Sequence, residues 1–258
     1  MPTKQLFQFD AICHEYKLGN VTKCVLNNIS FQGSAGKTVG VVGESGSGKS
    51  TLAKILVGLL KPTSGKAIIK GVDCHDNRAQ TTKLVQMLFQ DPESSFNPRK
   101  TIQWHYEEAL SIHFPGKNPL WIKHKIAELL ESVQLPLSTA NRYPYELSGG
   151  QKQRAALGRA LAPKPKLLIL DEPLASLDVP LRKQIIDLLL KLQREQNLGY
   201  LFITHDLSTL KYIAHDVAVL CEGNLIEFGT ASDILSNPKE GYTQRLISAV
   251  PDLIPRRT

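Results

Sequence analysis

One short stretch of the chain has a spacing of glycine, lysine and serine that suits phosphate: Gly43, Glu44, Ser45, Gly46, Ser47, Gly48, Lys49, Ser50 and Thr51. Glycines allow successive backbone N–H groups to wrap around phosphate oxygens. Lys49 could reach the β- and γ-phosphates of a nucleotide, and the Ser50 hydroxyl could ligate Mg²⁺. The stretch fits G-x-x-x-x-G-K-[ST] in full, whereas the alternative is an ordinary glycine-rich turn. It predicts the binding of a nucleoside triphosphate together with Mg²⁺.

In the stretch "KLLILDEP", an apolar run is followed by two acidic residues, Asp171 and Glu172. A carboxylate at the end of a strand beside the phosphate loop can hold Mg²⁺, which is the role predicted for Asp171. Glu172, one residue further on, would lie nearer the γ-phosphate and could polarise an attacking water. The alternative is that one of these acids caps a helix before "PLASLD".

Two more polar residues follow apolar runs and could reach the same place. His205 comes after "YLFIT", at the carboxyl edge of a strand where the ligands of open α/β sheets collect. A neutral imidazole there could hydrogen-bond the γ-phosphate and the water, and a purely structural histidine is the alternative. Gln90, after "LVQMLF", could offer its amide oxygen to Mg²⁺ or to water.

The elements that must position these residues are predicted from hydrophobic patterning. Apolar runs predict strands at 6–13, 26–32, 38–42, 66–73, 83–90, 166–170, 200–204 and 216–223. Leucine and isoleucine at positions 52, 55, 56 and 59 predict an amphipathic helix that Pro62 ends. A longer helix is predicted over 181–196 and a mostly helical insertion from Pro92 to Leu161. The alternation predicts a largely parallel sheet with helices on both faces.

Composition restricts the class of protein. The chain has 258 residues, a net charge of +7 and no apolar run near the roughly 20 residues that span a bilayer. Its N-terminus lacks an apolar signal core, so we expect a soluble, cytoplasmic chain. The four cysteines are scattered, which favours reduced thiols over a zinc or iron–sulfur site. Basic residues do not cluster except in "PRRT", so we expect no nucleic-acid partner.

The ordered set "GESGSGKS", Gln90, "LSGGQ", "LLILDEP", "SLD" at 176–178 and His205 resembles the ATPase subunit of ATP-binding-cassette (ABC) transporters. The resemblance covers nearly the whole chain and implies an α/β P-loop NTPase fold. The implied fold has a mostly parallel sheet, N-terminal antiparallel strands and a helical subdomain. It implies a core over 1–90 and 159–236, a helical subdomain with the signature motif over 91–158, and a short tail over 237–258.

The resemblance also implies roles for individual residues. Tyr16 would stack on adenine, and Gln90 would sense the nucleotide and ligate Mg²⁺. Glu172 would be the catalytic base, and His205 a switch. The implied cofactors are ATP and Mg²⁺.

A second glycine-rich helix start lies in "YPYELSGGQKQR", where Ser148, Gly149, Gly150 and Gln151 could bind an anion. "LSGGQ" itself lacks a lysine and a magnesium-binding hydroxyl, so it would be an incomplete nucleotide site. It fits half of a site shared by two chains that face each other head to tail. Each ATP would then lie between one chain's phosphate loop and the other chain's "LSGGQ". Ser148 and Gly150 would donate to the γ-phosphate, and Gln151 to the ribose or nearby.

Three further segments indicate which transporter. "DPESSFNPRKTI", "NRYPYELSGGQKQR" and "GYTQRLISAVP" are similar to the subfamily that serves dipeptide, oligopeptide and nickel importers; antimicrobial-peptide-sensitivity systems are also similar. Such importers imply a second ATPase chain (a sister or a copy of this one), two transmembrane permease subunits and, indirectly, an extracytoplasmic solute-binding protein. The chain would lie peripherally on the cytoplasmic face of the membrane. We expect the groove that meets the permease to lie between the Gln90 segment and the helical insertion. Phe96, Trp104 and Tyr106 are candidate contacts there, with core packing as an equal alternative for Trp104.

Two other functions are also compatible with the sequence. The ATPase of an exporter or lipoprotein-release system would differ mainly around "DPESSFNPR". A soluble ABC ATPase that acts on nucleic acid shares the catalytic set. Those proteins, however, carry long heptad arms or zinc modules in mid-chain, or two cassettes in one chain, and this sequence has none of these features.

Overall fold

The computed structural model describes residues 5–19, 21–89, 91, 95–175 and 177–249. Its strands are β1 (Gln5–Leu18), β2 (Val21–Ser34), β3 (Thr38–Val42), β4 (Ser64–Ile69), β5 (Val72–Asp73), β6 (Val85–Leu88), β7 (Leu167–Asp171), β8 (Gly199–Ile203), β9 (Asp216–Cys221) and β10 (Asn224–Thr230). Its α-helices are α1 (Lys49–Leu56), α2 (Arg78–Leu84), α3 (Ile102–His113), α4 (Pro119–Ser132), α5 (Gly149–Leu161), α6 (Val179–Gln196), α7 (Leu207–Ile213), α8 (Ala231–Ser236) and α9 (Gly241–Ser248).

The central sheet has the strand order β10-β9-β3-β8-β7-β6, with β9, β3, β8, β7 and β6 parallel and β10 antiparallel to β9. The side chains of strand β7 show that both faces of this sheet are covered by hydrophobic residues. Leu168 and Leu170 pack into one hydrophobic cluster, whereas Leu167 and Ile169 pack into the other. A strand that is apolar on both faces must be covered on both, as parallel sheets require. The predicted parallel sheet is confirmed.

The second sheet is antiparallel, with the order β2-β1-β4-β5. Its first two strands are 14 residues each, longer than the predicted short strands. Register shifts interrupt their pairing, and Ala11 and Asn28 adopt positive φ of 48° and 53°. Such irregularities bend a strand without ending it, so patterning detected only the regular parts. The predicted strand over 66–73 is divided into β4 and β5.

The insertion between β6 and β7 is helical, as predicted, and contains α3, α4, two short 3₁₀ turns and α5. Two boundaries were wrong. Helix α1 ends at Leu56, because Gly58 adopts φ +79° and turns the chain, which leaves Leu59 54% exposed. The predicted strand over 83–90 begins only at Val85, since α2 occupies the preceding residues.

The chain continues past the central sheet into α8 and α9, so the predicted tail from residue 237 contains a helix. Both helices pack against the hydrophobic cluster on one face of the sheet, through Ile234 and Ile247. Within the described ranges, no helix is both long enough and apolar enough to cross a membrane.

Candidate functional site

The phosphate loop joins the buried strand β3 to α1, and two of its glycines are required by their surroundings. Gly43 adopts φ +151°, and a Cβ there would lie 2.0 Å from the carbonyl oxygen of Leu220. Gly48 adopts φ +101°, and a Cβ there would lie 2.6 Å from Leu26 Cδ2 and 2.8 Å from the carbonyl oxygen of Val25. Because glycine has no side chain, the loop can approach β9 and β2 this closely, and any larger residue at these two positions would clash.

Lys49 lies inside the loop and is mostly buried. Its ammonium group donates to the carbonyl oxygens of Gly43 at 2.8 Å and Glu44 at 2.7 Å, and to Ser47 Oγ at 3.3 Å. Burial lowers the pKa of Lys49, and the nearby carboxylates of Glu172 and Asp171 oppose that shift. A cation held this way by oxygen atoms of the loop is suited to phosphate oxygens.

Asp171 ends β7 near Lys49 and Ser50 of the phosphate loop and is 7% exposed. Burial raises the pKa of Asp171, and the neighbouring Ser50 side chain partly offsets that rise. A buried carboxylate next to a hydroxyl beside a phosphate loop has the oxygen donors that Mg²⁺ prefers, so the donor set fits the ion.

Glu172 and His205 form a pair at the mouth of the cleft. The His205 Nδ1 atom lies 3.2 Å from Glu172 Oε1. Glu172 adopts a left-handed backbone with φ +47°, and its N–H donates to the carbonyl oxygen of Ile203 at 2.9 Å. Left-handed backbone is uncommon for residues other than glycine and is concentrated at functional sites. The alternative of a helix cap is wrong, because α6 is capped by Asp178.

The loop, Glu172 and His205 line one cleft of about 480 Å³. Its lining residues are Lys23, Val25, Ser45, Gly46, Gly48, Lys49, Ser50, Thr51, Glu172 and His205. Sequence reasoning missed Lys23 and Val25, which lie on β2. The signal that could have found them is strand register, because Tyr16 on β1 pairs with Lys23.

Tyr16 lies beside this cleft on the antiparallel sheet and is 36% exposed. Its ring packs edge-to-face against the buried His14, with centroids 4.7 Å apart. The other ring face is a candidate for stacking on a base. Tyr16 pairs directly across the hairpin with the lining residue Lys23, and its stacking on adenine stays a prediction.

Two residues of the predicted set lie outside the described residues, namely Gln90 and Ser176. The rest of "SLD" is described. Asp178 caps α6 by accepting a hydrogen bond from the Leu181 N–H at 2.9 Å. Leu177 is buried, and its carbonyl oxygen accepts from Arg182 Nε at 2.8 Å.

The second glycine-rich start, Ser148 to Gln151, does not contribute to the described lining of the cleft. Ser148 Oγ accepts from the Gln151 N–H at 3.3 Å, while Gln151 Oε1 accepts from the Ser148 N–H at 3.0 Å. This reciprocal capping box satisfies two amides of α5 within the chain. Gly150 packs against Leu181, whose Cδ2 atom would lie 3.0 Å from a Cβ at residue 150. The start of helix α5 therefore packs on the start of α6.

A groove of about 270 Å³ lies between the β6 segment and helices α3 and α5. Phe89 and Ile112 line it, and their side chains are 43% and 69% exposed. Arg159 fixes one wall: it donates to the carbonyl oxygen of Ser95 and lies 4.8 Å from the ring centre of Phe96. That this groove meets the permease stays a prediction.

Two of the predicted contact residues in that groove were wrong. Phe96 is 5% exposed and Tyr106 is fully buried, with its hydroxyl donating to the Ala155 carbonyl oxygen at 2.9 Å. Both aromatic rings fill the helical core, because the side chains of α5 and α3 enclose them. Trp104 is half-buried, and Lys100 lies 5.2 Å from its ring centre.

Comparison with known sequences gives matches along almost the whole chain. The profile of the family described as ABC transporter matches residues 26–175. The oligopeptide transport ATP-binding protein OppF of Bacillus subtilis is 39% identical over 254 residues, which cover 96% of this chain and 83% of that protein. The oligopeptide transport ATP-binding protein OppD of Mycobacterium bovis is 44% identical over 236 residues, which cover 90% of this chain but only 38% of that longer protein.

Comparison with solved structures gives a similar fold. The ATP-binding cassette MJ0796, in a dimeric post-hydrolysis state bound to ADP and phosphate, superimposes with a TM-score of 0.78. It is 28% identical, and the superposition covers 88% of this chain and 99% of that one.

Proposed function

This chain belongs to the ABC transporter family, and we propose that it is the ATP-hydrolysing subunit of a membrane importer for di- or oligopeptides. One observation carries the proposal. The chain has a cleft with the groups that a triphosphate and its metal need, and a second glycine-rich helix start outside the described lining of that cleft. One chain has no use for two phosphate-binding starts, whereas two facing chains use both.

Binding of ATP would depend on the loop amides and Lys49. Phosphate oxygens would take over the Lys49 donors that now bond the carbonyl oxygens of Gly43 and Glu44. Ser50 and Asp171 would hold Mg²⁺, with Gln90 as a further predicted ligand. Bound Mg²⁺ would offset negative charge on the β- and γ-phosphates. Tyr16 would stack on the adenine.

Hydrolysis requires a base next to the γ-phosphate, and Glu172 is that base. Its carboxylate would accept a proton from water as the water oxygen bonds to the γ-phosphorus and the bond to the β-phosphate oxygen breaks. His205 Nδ1, 3.2 Å from Glu172 Oε1, would orient the carboxylate. The products would be ADP and inorganic phosphate.

The closed state would be a head-to-tail dimer of two cassettes. Ser148 and the amides that follow it would donate to the γ-phosphate held by the partner, as the predicted half-site requires. Hydrolysis would remove the group that both chains bind, so the dimer would reopen. Because Gly150 packs on Leu181, a movement of the α5 start during reopening would be transmitted to the start of α6.

Coupling to the membrane would run through the groove between β6, α3 and α5. Phe89 and Ile112 expose apolar surface there, and exposed apolar surface in a groove is typical of an interaction site. A cytoplasmic segment of each permease would dock in this groove. The chain would thus lie peripherally on the cytoplasmic face of the cell membrane, and an extracytoplasmic binding protein would select the solute.

The relatives' names favour peptides as the solute over nickel, since both describe oligopeptide transport. No feature of the described residues favours an exporter or a nucleic-acid-acting ATPase over this proposal.

The test is to tag the chain, extract it gently from its native membranes and identify stoichiometric companions by mass spectrometry. We expect two multi-span subunits and a second cassette chain. Ile112→Glu should lose the multi-span subunits, since it places a charge in the groove, whereas Leu120→Glu, at an exposed site on α4, should keep them. Recovery as a soluble protein with nucleic acid or ribosomes would overturn the transport role.

A further inference from the structure

The C-terminal helix α9 reaches the phosphate loop through one side chain, Tyr242. The Glu44 N–H donates to the Tyr242 hydroxyl oxygen at 3.4 Å. The same hydroxyl lies near the Cys221 side chain at the end of β9. The ring packs, partly buried, against the hydrophobic cluster on that face of the sheet. A residue 198 positions away along the chain therefore contacts the second residue of the loop.

Helix α9 is itself held by a carboxylate on β10. Glu227 Oε1 accepts from the Lys239 N–H at 2.9 Å, and Glu227 Oε2 accepts from the Glu240 N–H at 3.2 Å. These are the two amides immediately before α9, and charge-assisted bonds to backbone amides are the stronger kind. These bonds tie the start of α9, and with it Tyr242 in the first turn, to β10.

The loop is held on two sides by different groups. On the inside, Lys49 bonds the carbonyl oxygens of Gly43 and Glu44, and phosphate would compete for that ammonium group. On the outside, the Leu220 carbonyl abuts Gly43 and Tyr242 bonds the Glu44 amide. The two groups that make the outer contacts, the Leu220 carbonyl and the Tyr242 hydroxyl, are not themselves assigned to the nucleotide, so they can hold the loop backbone while phosphate is bound.

We infer that Tyr242 is a positioning residue for the phosphate loop, and that docking of α9 sets the affinity of the loop for the phosphates of ATP. The inference rests on the proposed nucleotide site. Tyr242 contacts the backbone at the entry of the loop and would not touch the base. Its loss should therefore weaken phosphate binding without weakening adenosine binding.

The test uses the full 258-residue chain and compares Tyr242→Phe with wild type by calorimetric titration with Mg·ATP, ADP and adenosine. Removing one hydrogen bond should raise the Kd for Mg·ATP and ADP about three- to tenfold, with adenosine unchanged. KM for ATP should rise while kcat is retained. Tyr212→Phe removes a hydroxyl from an exposed tyrosine on α7 and should match wild type.

A second variant tests the role of α9 itself. Glu227→Gln keeps the side-chain size but weakens the bonds to the two amides before α9, so it should raise the same Kd values by a smaller factor. Equal Kd values for wild type and Tyr242→Phe would overturn the inference, as would an equal loss of adenosine binding. Failure of the wild-type chain to bind Mg·ATP would instead overturn the proposed function.

Discussion

Two helices of this chain begin at glycine-rich turns, and they differ in how their first amides are satisfied. Helix α1 begins after Gly48, which has no side chain that could cap the amides. Helix α5 begins after Ser148, which forms a capping box with Gln151. The amides of α1 thus depend on an outside group, whereas α5 partly satisfies its own. Uncapped amides are available to an anion at once, and capped amides must first exchange a partner.

The charges around the two starts differ in the same direction. Lys49 projects into the loop before α1, and the carboxylates of Asp171 and Glu172 lie close enough to influence its pKa. The start of α5 has the neutral pair Ser148 and Gln151 instead. Under the proposed function, the first start would hold the nucleotide and its chemistry, while the second would contribute only when a second chain supplies the phosphate.

The largest expected effect comes from Glu172→Gln, which tests whether both starts act on one nucleotide. Removing the base should lower ATP hydrolysis about 10²- to 10⁴-fold. ATP binding should remain, so the variant should accumulate as a closed dimer in analytical ultracentrifugation with ATP. Equal sedimentation with and without ATP would contradict the shared site. Glu195→Gln, at an exposed site on α6, is the matched control and should behave like wild type.

The second-largest effect should come from removing Lys49, the charged residue at the first helix start, where the second has the neutral pair Ser148 and Gln151. Lys49→Ala should raise the Kd for Mg·ATP about 100-fold, because charge-assisted bonds to phosphate are lost. Titration calorimetry with the isolated chain measures this change. Lys183→Ala, at an exposed position on α6, provides the control. If Lys49→Ala bound ATP as wild type does, the loop before α1 would not be the nucleotide site.

Glycine substitutions compare the two starts by stability. Gly48→Ala should destabilise the fold by about 2 kcal/mol, because φ +101° and contacts with Leu26 and the Val25 carbonyl leave no room for a Cβ. Gly150→Ala should change stability by less than about 1 kcal/mol. Its Cβ would approach only the movable Leu181 side chain at 3.0 Å, within a helix that favours alanine. Urea unfolding of both variants measures the difference, and equal losses would contradict it.

The sequence was sufficient where short-range chemistry decides the structure. The run "TVGVV" predicted β3 with its observed bounds, because an apolar, β-branched segment beside a glycine loop has few alternatives. The first start was recognisable for the same reason. Its loop residues, acids and histidine each stand at the end of an apolar strand, and strand ends meet at one edge of the sheet.

The sequence was insufficient where distant segments decide the structure. Helical periodicity counted Leu59 in α1, although Gly58 turns the chain before it. Phe96 and Tyr106 looked available as contacts because their enclosure by α5 depends on tertiary packing. The approach of Tyr242 to Glu44 joins residues 198 positions apart, and no local pattern carries that information.

The smallest expected effect comes from Ser148→Ala, which removes the cap that keeps α5 stable alone. Loss of an N-cap should cost about 1 kcal/mol of stability. Asn118→Ala removes the equivalent cap of α4, where Asn118 Oδ1 accepts from the Trp121 N–H at 2.8 Å, and should cost about the same.

The two cap variants should separate in function, because only Ser148 has a predicted second partner. In the membrane-extracted complex, Ser148→Ala should lower ATP hydrolysis about tenfold through the lost bond to the γ-phosphate of the other chain. The Kd of the isolated chain for Mg·ATP should stay unchanged, because the phosphate loop before α1 is intact. Asn118→Ala should leave both quantities unchanged. A higher Kd of the isolated Ser148→Ala chain for Mg·ATP would instead indicate that the second start belongs to its own chain's nucleotide site. That result would contradict the contrast between the two helix starts.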